Sequence, residues 1–153
     1  MRITKYRTEL NPDRHNILVK EFAVNYARDR LDNPYAIVKM LNDVFALNHM
    51  AEEYMYLVAF STAYKVLGVF EVSHGTVNMT PASPREIFIR LLLSGASCFT
   101  VCHNHPSGEC KPSDDDIRLT KRLQKCAALM GIAFTDHIIT GMDYYSFKEN
   151  SIL

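Results

Sequence analysis

Cys98-Phe99-Thr100-Val101-Cys102-His103-Asn104-His105-Pro106-Ser107-Gly108 is the stretch on which the reading of this chain turns. Its first five residues suit a strand, and two histidines follow at the strand's end. Side chains alternate faces along a strand, so His103 and His105 project to one side. Pro106, Ser107 and Gly108 then turn the chain, and Ser113-Asp114-Asp115-Asp116 reads as a helix start. Asp116 can return to the two imidazoles across that turn. Two neutral nitrogens and one carboxylate oxygen are the three-ligand set of a catalytic zinc site, which keeps its fourth position for water. Each part also has a plain structural reading. His-x-His occurs on exposed strands, and Ser113 with Asp116 makes a capping box worth about 1 kcal/mol to a helix. The convergence of strand end, turn and helix start on one loop favours the metal.

Working outward, helices and strands alternate, so the class is α/β. Asn33-Pro34 opens a helix running to about Asn48, with Ile37, Met40, Leu41, Val44 and Phe45 at helical spacing. Residues 54–60 and 65–72 read as strands, with Ser61-Thr62-Ala63-Tyr64 between them as a hairpin turn. Gly75 marks a turn or bulge before Thr76-Val77-Asn78-Met79. Ser83-Pro84-Arg85-Glu86 opens the next helix, a capping serine then proline, with Ile87, Leu91 and Leu92 as its expected buried stripe and Gly95 as its stop. The helix from Ser113 carries Leu119, Leu123, Cys126 and Met130 and closes at Gly131. Residues 132–134, 137–140 and 144–147 are further strand candidates. Residues 1–32 form an N-terminal extension of uncertain structure, where Ile17, Val19, Phe22, Val24 and Tyr26 hint at a strand.

At 153 residues, 48% apolar and 22% charged, the chain suits one globular domain and not a disordered segment. Lys+Arg and Asp+Glu each number 17, so the formal net charge is zero. A protein living on phosphate contacts carries a basic excess; nucleic acid is a possible partner that charge does not support. No apolar run reaches the ~18–20 residues of a membrane span, and the N-terminus lacks a secretory signal's apolar stretch. Cys98, Cys102, Cys110 and Cys126 show no Cys-x-x-Cys spacing, so reduced thiols in the cytoplasm are expected. Cys110 is a lesser ligand candidate.

His103-Asn104-His105-Pro106-Ser107-Gly108, then Pro112-Ser113 and Asp116, resembles the JAMM motif (His-x-His, a spacer, Ser-x-x-Asp) as it appears in the RadC family of JAB/MPN-domain proteins. Gly75-Thr76, Pro84-Arg85-Glu86-Ile87-Phe88, Thr120, Asp136-His137-Ile138 and Ser146-Phe147 extend the agreement from roughly Asn33 to Glu149. The resemblance implies a single JAB/MPN-type, cytidine-deaminase-like domain over residues 33–153, with a mixed central sheet flanked by helices. It implies Zn2+ on His103, His105 and Asp116, and a hydrolase cleaving a peptide or isopeptide bond in an unknown peptide or conjugate substrate. In the wider JAMM group a glutamate at the handover from first helix to first core strand is the general base. Glu53, directly before Tyr54, holds that place, with Glu71 and Glu52 as alternatives. Ser113 is implied as a donor to the developing oxyanion, beside its reading as a helix cap. His137 reads as a residue behind the ligands or on the surface. Full-length RadC proteins carry a helix-hairpin-helix region, and a JAB domain without it is expected here. Two other readings stand beside the hydrolase. One is a non-catalytic DNA- or protein-binding accessory module of the RadC type. The other is a nucleobase deaminase, whose His-x-Glu and Pro-Cys-x-x-Cys pattern is absent.

Overall fold

Near-continuous apolar runs suit strands covered on both faces, and two such runs form the middle of the sheet. The computed structural model describes residues 1–75 and 82–153, and the expected Thr76-Val77-Asn78-Met79 segment lies outside them. β3 (Tyr54–Phe60) pairs antiparallel with β5 (Cys98–Asn104), which is buried along its whole length. On the other side of β3 lies antiparallel β4 (Val66–His74), joined to it through the expected hairpin turn. β6 (Ala133–Thr140) runs parallel to β5, one strand covering both segments expected there, and β7 (Tyr144–Ser146) closes that edge.

The first 32 residues hold more structure than their composition suggested. β1 (Arg2–Leu10) and β2 (Asn16–Asn25) form an antiparallel hairpin. β1 adds to the sheet beside β4 in parallel, through Lys5 opposite Val69 and Tyr6 opposite Phe70. The seven strands therefore run in the order β2-β1-β4-β3-β5-β6-β7.

α1 (Pro34–Phe45) covers one face. The Asn33 side chain accepts from the Ala36 backbone N–H at 2.8 Å, satisfying an orphan donor of the first turn. Its Ile37, Met40 and Leu41 pack on Tyr56, Val58, Phe60 and Cys102. α2 (Pro84–Ser94) and α3 (Asp114–Met130) cover the other face, where Ile87, Leu91 and Leu123 meet Met55, Leu57, Phe99 and Val101. Two expectations for α2 need correction. Ser83 stands at the N-cap position, but its side chain makes no capping hydrogen bond. Leu92 is 56% exposed, and Phe88 is buried in its place. Leu92 lies about 100° around the helix from Leu91, beyond the edge of the buried stripe.

These two leucines provide a paired test of the packing. Leu91→Ala will cost about 2–5 kcal/mol in urea unfolding, as expected for a deleted core side chain. Leu92→Ala, on the solvent side, will stay within about 0.5 kcal/mol of the parent.

Candidate metal centre

His103 sits opposite Met55 on β3 and beside Ile139 on β6, near the end of the fully buried β5. Met55 packs in the core under α2 and α3. Directly opposed residues share a face, so the His103 imidazole enters that same layer. His105 follows two positions on, beyond the strand. Its backbone N–H still donates to the Thr140 carbonyl at 2.8 Å, carrying the β5–β6 ladder one step further.

The Pro106-Ser107-Gly108 turn is pinned where it stands. Gly108 N–H donates to the His105 carbonyl at 2.9 Å, and Met142 N–H donates to the Gly108 carbonyl at 2.9 Å. Gly108 has φ +82°, a left-handed conformation that glycine adopts freely. A Cβ on Gly141 would lie 2.5 Å from the Gly108 carbonyl oxygen, so the two backbones meet only because residue 141 bears no side chain.

Asp116 arrives from the first turn of α3 through a complete capping box. The Ser113 hydroxyl accepts from Asp116 N–H at 3.1 Å and donates to Asp116 Oδ2 at 2.6 Å, while Ser113 N–H donates to the same oxygen at 2.8 Å. The helix start thereby fixes the carboxylate beside the imidazoles. Asp116 Oδ1 is 3.1 Å from His103 Nε2, and Oδ2 is 3.6 Å from His105 Nε2. The two Nε2 atoms are 3.1 Å apart.

Both imidazoles turn their other nitrogen away from the carboxylate. His105 Nδ1 lies 2.8 Å from the Glu109 carbonyl, which can only accept, so Nδ1 carries the hydrogen and the neutral ring has a bare Nε2 as donor atom for a cation. His103 Nδ1 lies 3.0 Å from His137 Nε2, and His137 Nδ1 lies 2.6 Å from the Thr120 hydroxyl. His137 is fully buried and stacked on Phe147, with ring centroids 4.7 Å apart. His103, Asp116 and His137 each offer a ligand atom within 4.8 Å of the others, a group able to hold a metal ion. His105 Nε2 extends that group on its open side. Zinc bonds of about 2.0–2.2 Å at tetrahedral angles require donors about 3.3–3.6 Å apart. The spacings of 3.1, 3.1 and 3.6 Å among His103 Nε2, His105 Nε2 and Asp116 lie at or within about 0.2 Å of that range, the two shorter ones needing a slight opening around an ion.

Charge and burial act together here. Burial alone would raise the Asp116 carboxyl, but hydrogen bonds with His103, His105 and Ser113 outweigh it and hold the group well below the ordinary range. The hydrogen bond to Asp116 raises the His105 imidazole above its usual value against the opposing effect of burial, with help from the Glu109 carbonyl and the charges of Asp116 and Glu53. Burial, reinforced by the imidazoles of His103 and His105, pushes His137 well below its usual value, with Asp116 opposing.

Of the three glutamates, Glu53 is the one near the cluster. It is buried, directly precedes β3, and its charge is felt at His105. Continuing the β3–β5 register from Met55 opposite His103 brings Glu53 to the level of His105. Glu52 beside it is exposed. Glu71 lies opposite Tyr56, whose ring belongs to the α1 side of the sheet, and it pairs with Lys5 at 3.2 Å. Cys110 turns its thiol to the Asp143 carbonyl at 3.1 Å.

Sequence reasoning passed over Asn104 and gave Thr120 no role. Asn104 points to the opposite face from its two neighbours. Its Oδ1 accepts from Tyr54 N–H at 2.7 Å, and its Nδ2 donates to the Glu52 carbonyl at 3.0 Å and the Met50 carbonyl at 3.3 Å. This one amide ties three backbone groups of the segment bearing Glu53, which Gly75 N–H also holds through the Glu53 carbonyl at 2.9 Å. A polar residue between two inward histidines on a buried strand was the available signal.

A mixed sheet with helices on both faces, and a strand end where imidazoles meet a helix-borne carboxylate, is the design of a JAB-type domain. The RadC-like JAB domain family matches residues 31–152, and the chain belongs to that family. It is 39% identical over 108 residues to a UPF0758 protein of Clostridium acetobutylicum, covering 70% of this chain and 47% of that protein. UPF0758 proteins of Clostridium perfringens and Clostridium novyi are 37% and 36% identical, covering 89% and 90% of this chain. The chain spans 60% and 62% of those two relatives' lengths.

Asn104→Ala will leave the part-buried Tyr54 N–H without its acceptor and cost about 1–3 kcal/mol. Chemical unfolding measures the loss, and faster amide exchange at Tyr54 than in the parent will locate it.

Proposed function

We propose that this protein is a zinc-dependent hydrolase of the JAMM type that cleaves a peptide or isopeptide bond. In this reading His103, His105 and Asp116 hold the zinc, and Glu53 is the general base. The observation that carries it is the meeting of two imidazole nitrogens and one carboxylate at 3.1–3.6 Å, with a buried glutamate beside them. When bound, zinc supplies Lewis acidity, polarising a carbonyl and making water acidic enough to ionise near neutral pH.

The protein's own groups handle the protons. Glu53 takes a proton from the attacking water as its oxygen bonds to the carbonyl carbon. It then delivers that proton to the leaving nitrogen as the C–N bond breaks, giving an acid and an amine. The Ser113 hydroxyl, now directed at Asp116 Oδ2, turns its proton to the carbonyl oxygen as charge develops there. Glu109 keeps the His105 ring in register through its carbonyl. The substrate is a peptide or a conjugate joined through an amide. Among the described residues no helix is long and apolar enough to cross a membrane. The buried free thiols of Cys98 and Cys102 support a reducing compartment, the cytoplasm.

Elemental analysis of protein purified without added metal will find one zinc per chain, lost in His103→Ala. Glu53→Gln will keep the zinc and lose at least about 100-fold in hydrolysis of an isopeptide-linked test conjugate, the scale of a missing general base. A zinc-free parent would sink the metal site, and unchanged hydrolysis in Glu53→Gln would sink the base assignment. Salt-sensitive DNA binding by metal-stripped protein, with no hydrolysis by the loaded form, would point to an accessory module instead.

A further inference from the structure

We infer that Thr120 and His137 are positioning residues that choose which nitrogen His103 presents to the metal, through a hydrogen-bonded relay from one ligand to another that a bound metal would close into a ring. The inference rests on the metal reading above and adds two residues to it. Its starting point is a single proton. The Thr120 hydroxyl donates to the Asp116 backbone carbonyl at 2.7 Å, and a hydroxyl has only one hydrogen to give. At its 2.6 Å contact with His137 Nδ1, Thr120 is therefore the acceptor, and Nδ1 carries the hydrogen. A neutral His137 then has a bare Nε2, which accepts from His103 Nδ1–H at 3.0 Å. His103 is left with a bare Nε2, the atom that faces Asp116 Oδ1 and His105 Nε2, each at 3.1 Å.

The relay runs from the Asp116 carbonyl through Thr120 and His137 to His103, and a cation between His103 Nε2 and the Asp116 carboxylate would close it into a ring. It joins α3, β6 and β5, three elements brought together only by the fold. Thr120 and His137 are fully buried and His103 is 1% exposed, so solvent has little access to replace a missing link. With His105 Nδ1–H held by the Glu109 carbonyl, both Nε2 lone pairs point at one another and at a carboxylate. A cation between them resolves that arrangement. His137 belongs to the group that can hold a metal, but in this relay its Nε2 lone pair is already committed to His103. It supports a ligand and does not act as one.

Competition with a chromophoric chelator will measure zinc affinity, and 15N NMR of histidine-labelled, zinc-loaded protein will report each ring's tautomer. Thr120→Val keeps the shape, removes the acceptor and will weaken zinc binding about 10–100-fold, the usual scale for a lost outer partner. Thr120→Ser will return affinity to near the parent value. In the parent, His137 will carry hydrogen on Nδ1, with Nε2 bound to hydrogen-bonding His103 and not to zinc. The NMR arm stands even if Thr120→Val fails to fold. Hydrogen on His137 Nε2, zinc on either His137 nitrogen, or a folded Thr120→Val with parental affinity would each overturn the relay. A parent that takes up no zinc would instead overturn the metal reading beneath it.

Discussion

Asp116 must start a helix and complete a polar cluster with the same carboxylate, and the architecture around it follows from meeting both demands. An acid in a first turn interacts well with the helix dipole, by about 0.3–1 kcal/mol. Oδ2 also takes two hydrogen bonds from Ser113, and Oδ1 faces His103. Slipping α3 by one residue against β5 would swing the carboxylate about 100° around the helix axis, away from the imidazoles. The capping box thus sets the register of a helix against a strand as well as the helix's own start. Partial burial of the carboxylate is tolerable because hydrogen-bonding partners replace water around it.

Three consecutive residues divide the organisation of this end of the sheet. His103 and His105 look toward α3, whereas Asn104 looks the other way and holds the backbone of residues 50–54. Strand alternation makes the division possible. One short segment thereby carries two of the candidate ligands and positions the segment that bears Glu53. Because β5 is hydrogen-bonded on both sides, to β3 and to β6, these roles are imposed on a backbone with little freedom to shift.

What the sequence made legible was local. The caps at Asn33 and Ser113, the Gly95 and Gly131 helix ends and the strand–turn–helix bringing His103, His105 and Asp116 together all depend on neighbours within about a dozen residues. The family resemblance rested on those same runs. What escaped was long-range register. Thr120 and His137 become partners only once β6 lies parallel to β5, and nothing in either residue's surroundings announces it. Choosing among Glu52, Glu53 and Glu71 needed the β3–β4 pairing, which assigns Glu71 to the α1 side. β1 and β2 were faint because the hairpin lies toward an edge, where half-exposed positions mix polar and apolar residues. Leu92 misled for a simpler reason. Helical spacing identifies a stripe but not how far around the helix that stripe extends.

The meeting of Gly108 and Gly141 has a consequence for how this end of the molecule diversifies. Two turns from distant parts of the chain touch backbone to backbone, with no space for even a methyl group between them. Gly108 holds a left-handed φ of +82° that disfavours a side chain, and Gly141 has no room for one at the point of contact. Met142, the next residue along and 94% exposed, bears no such restriction. A substitution at that outward tip changes what the rim presents while leaving the Gly108–Gly141 contact as it stands.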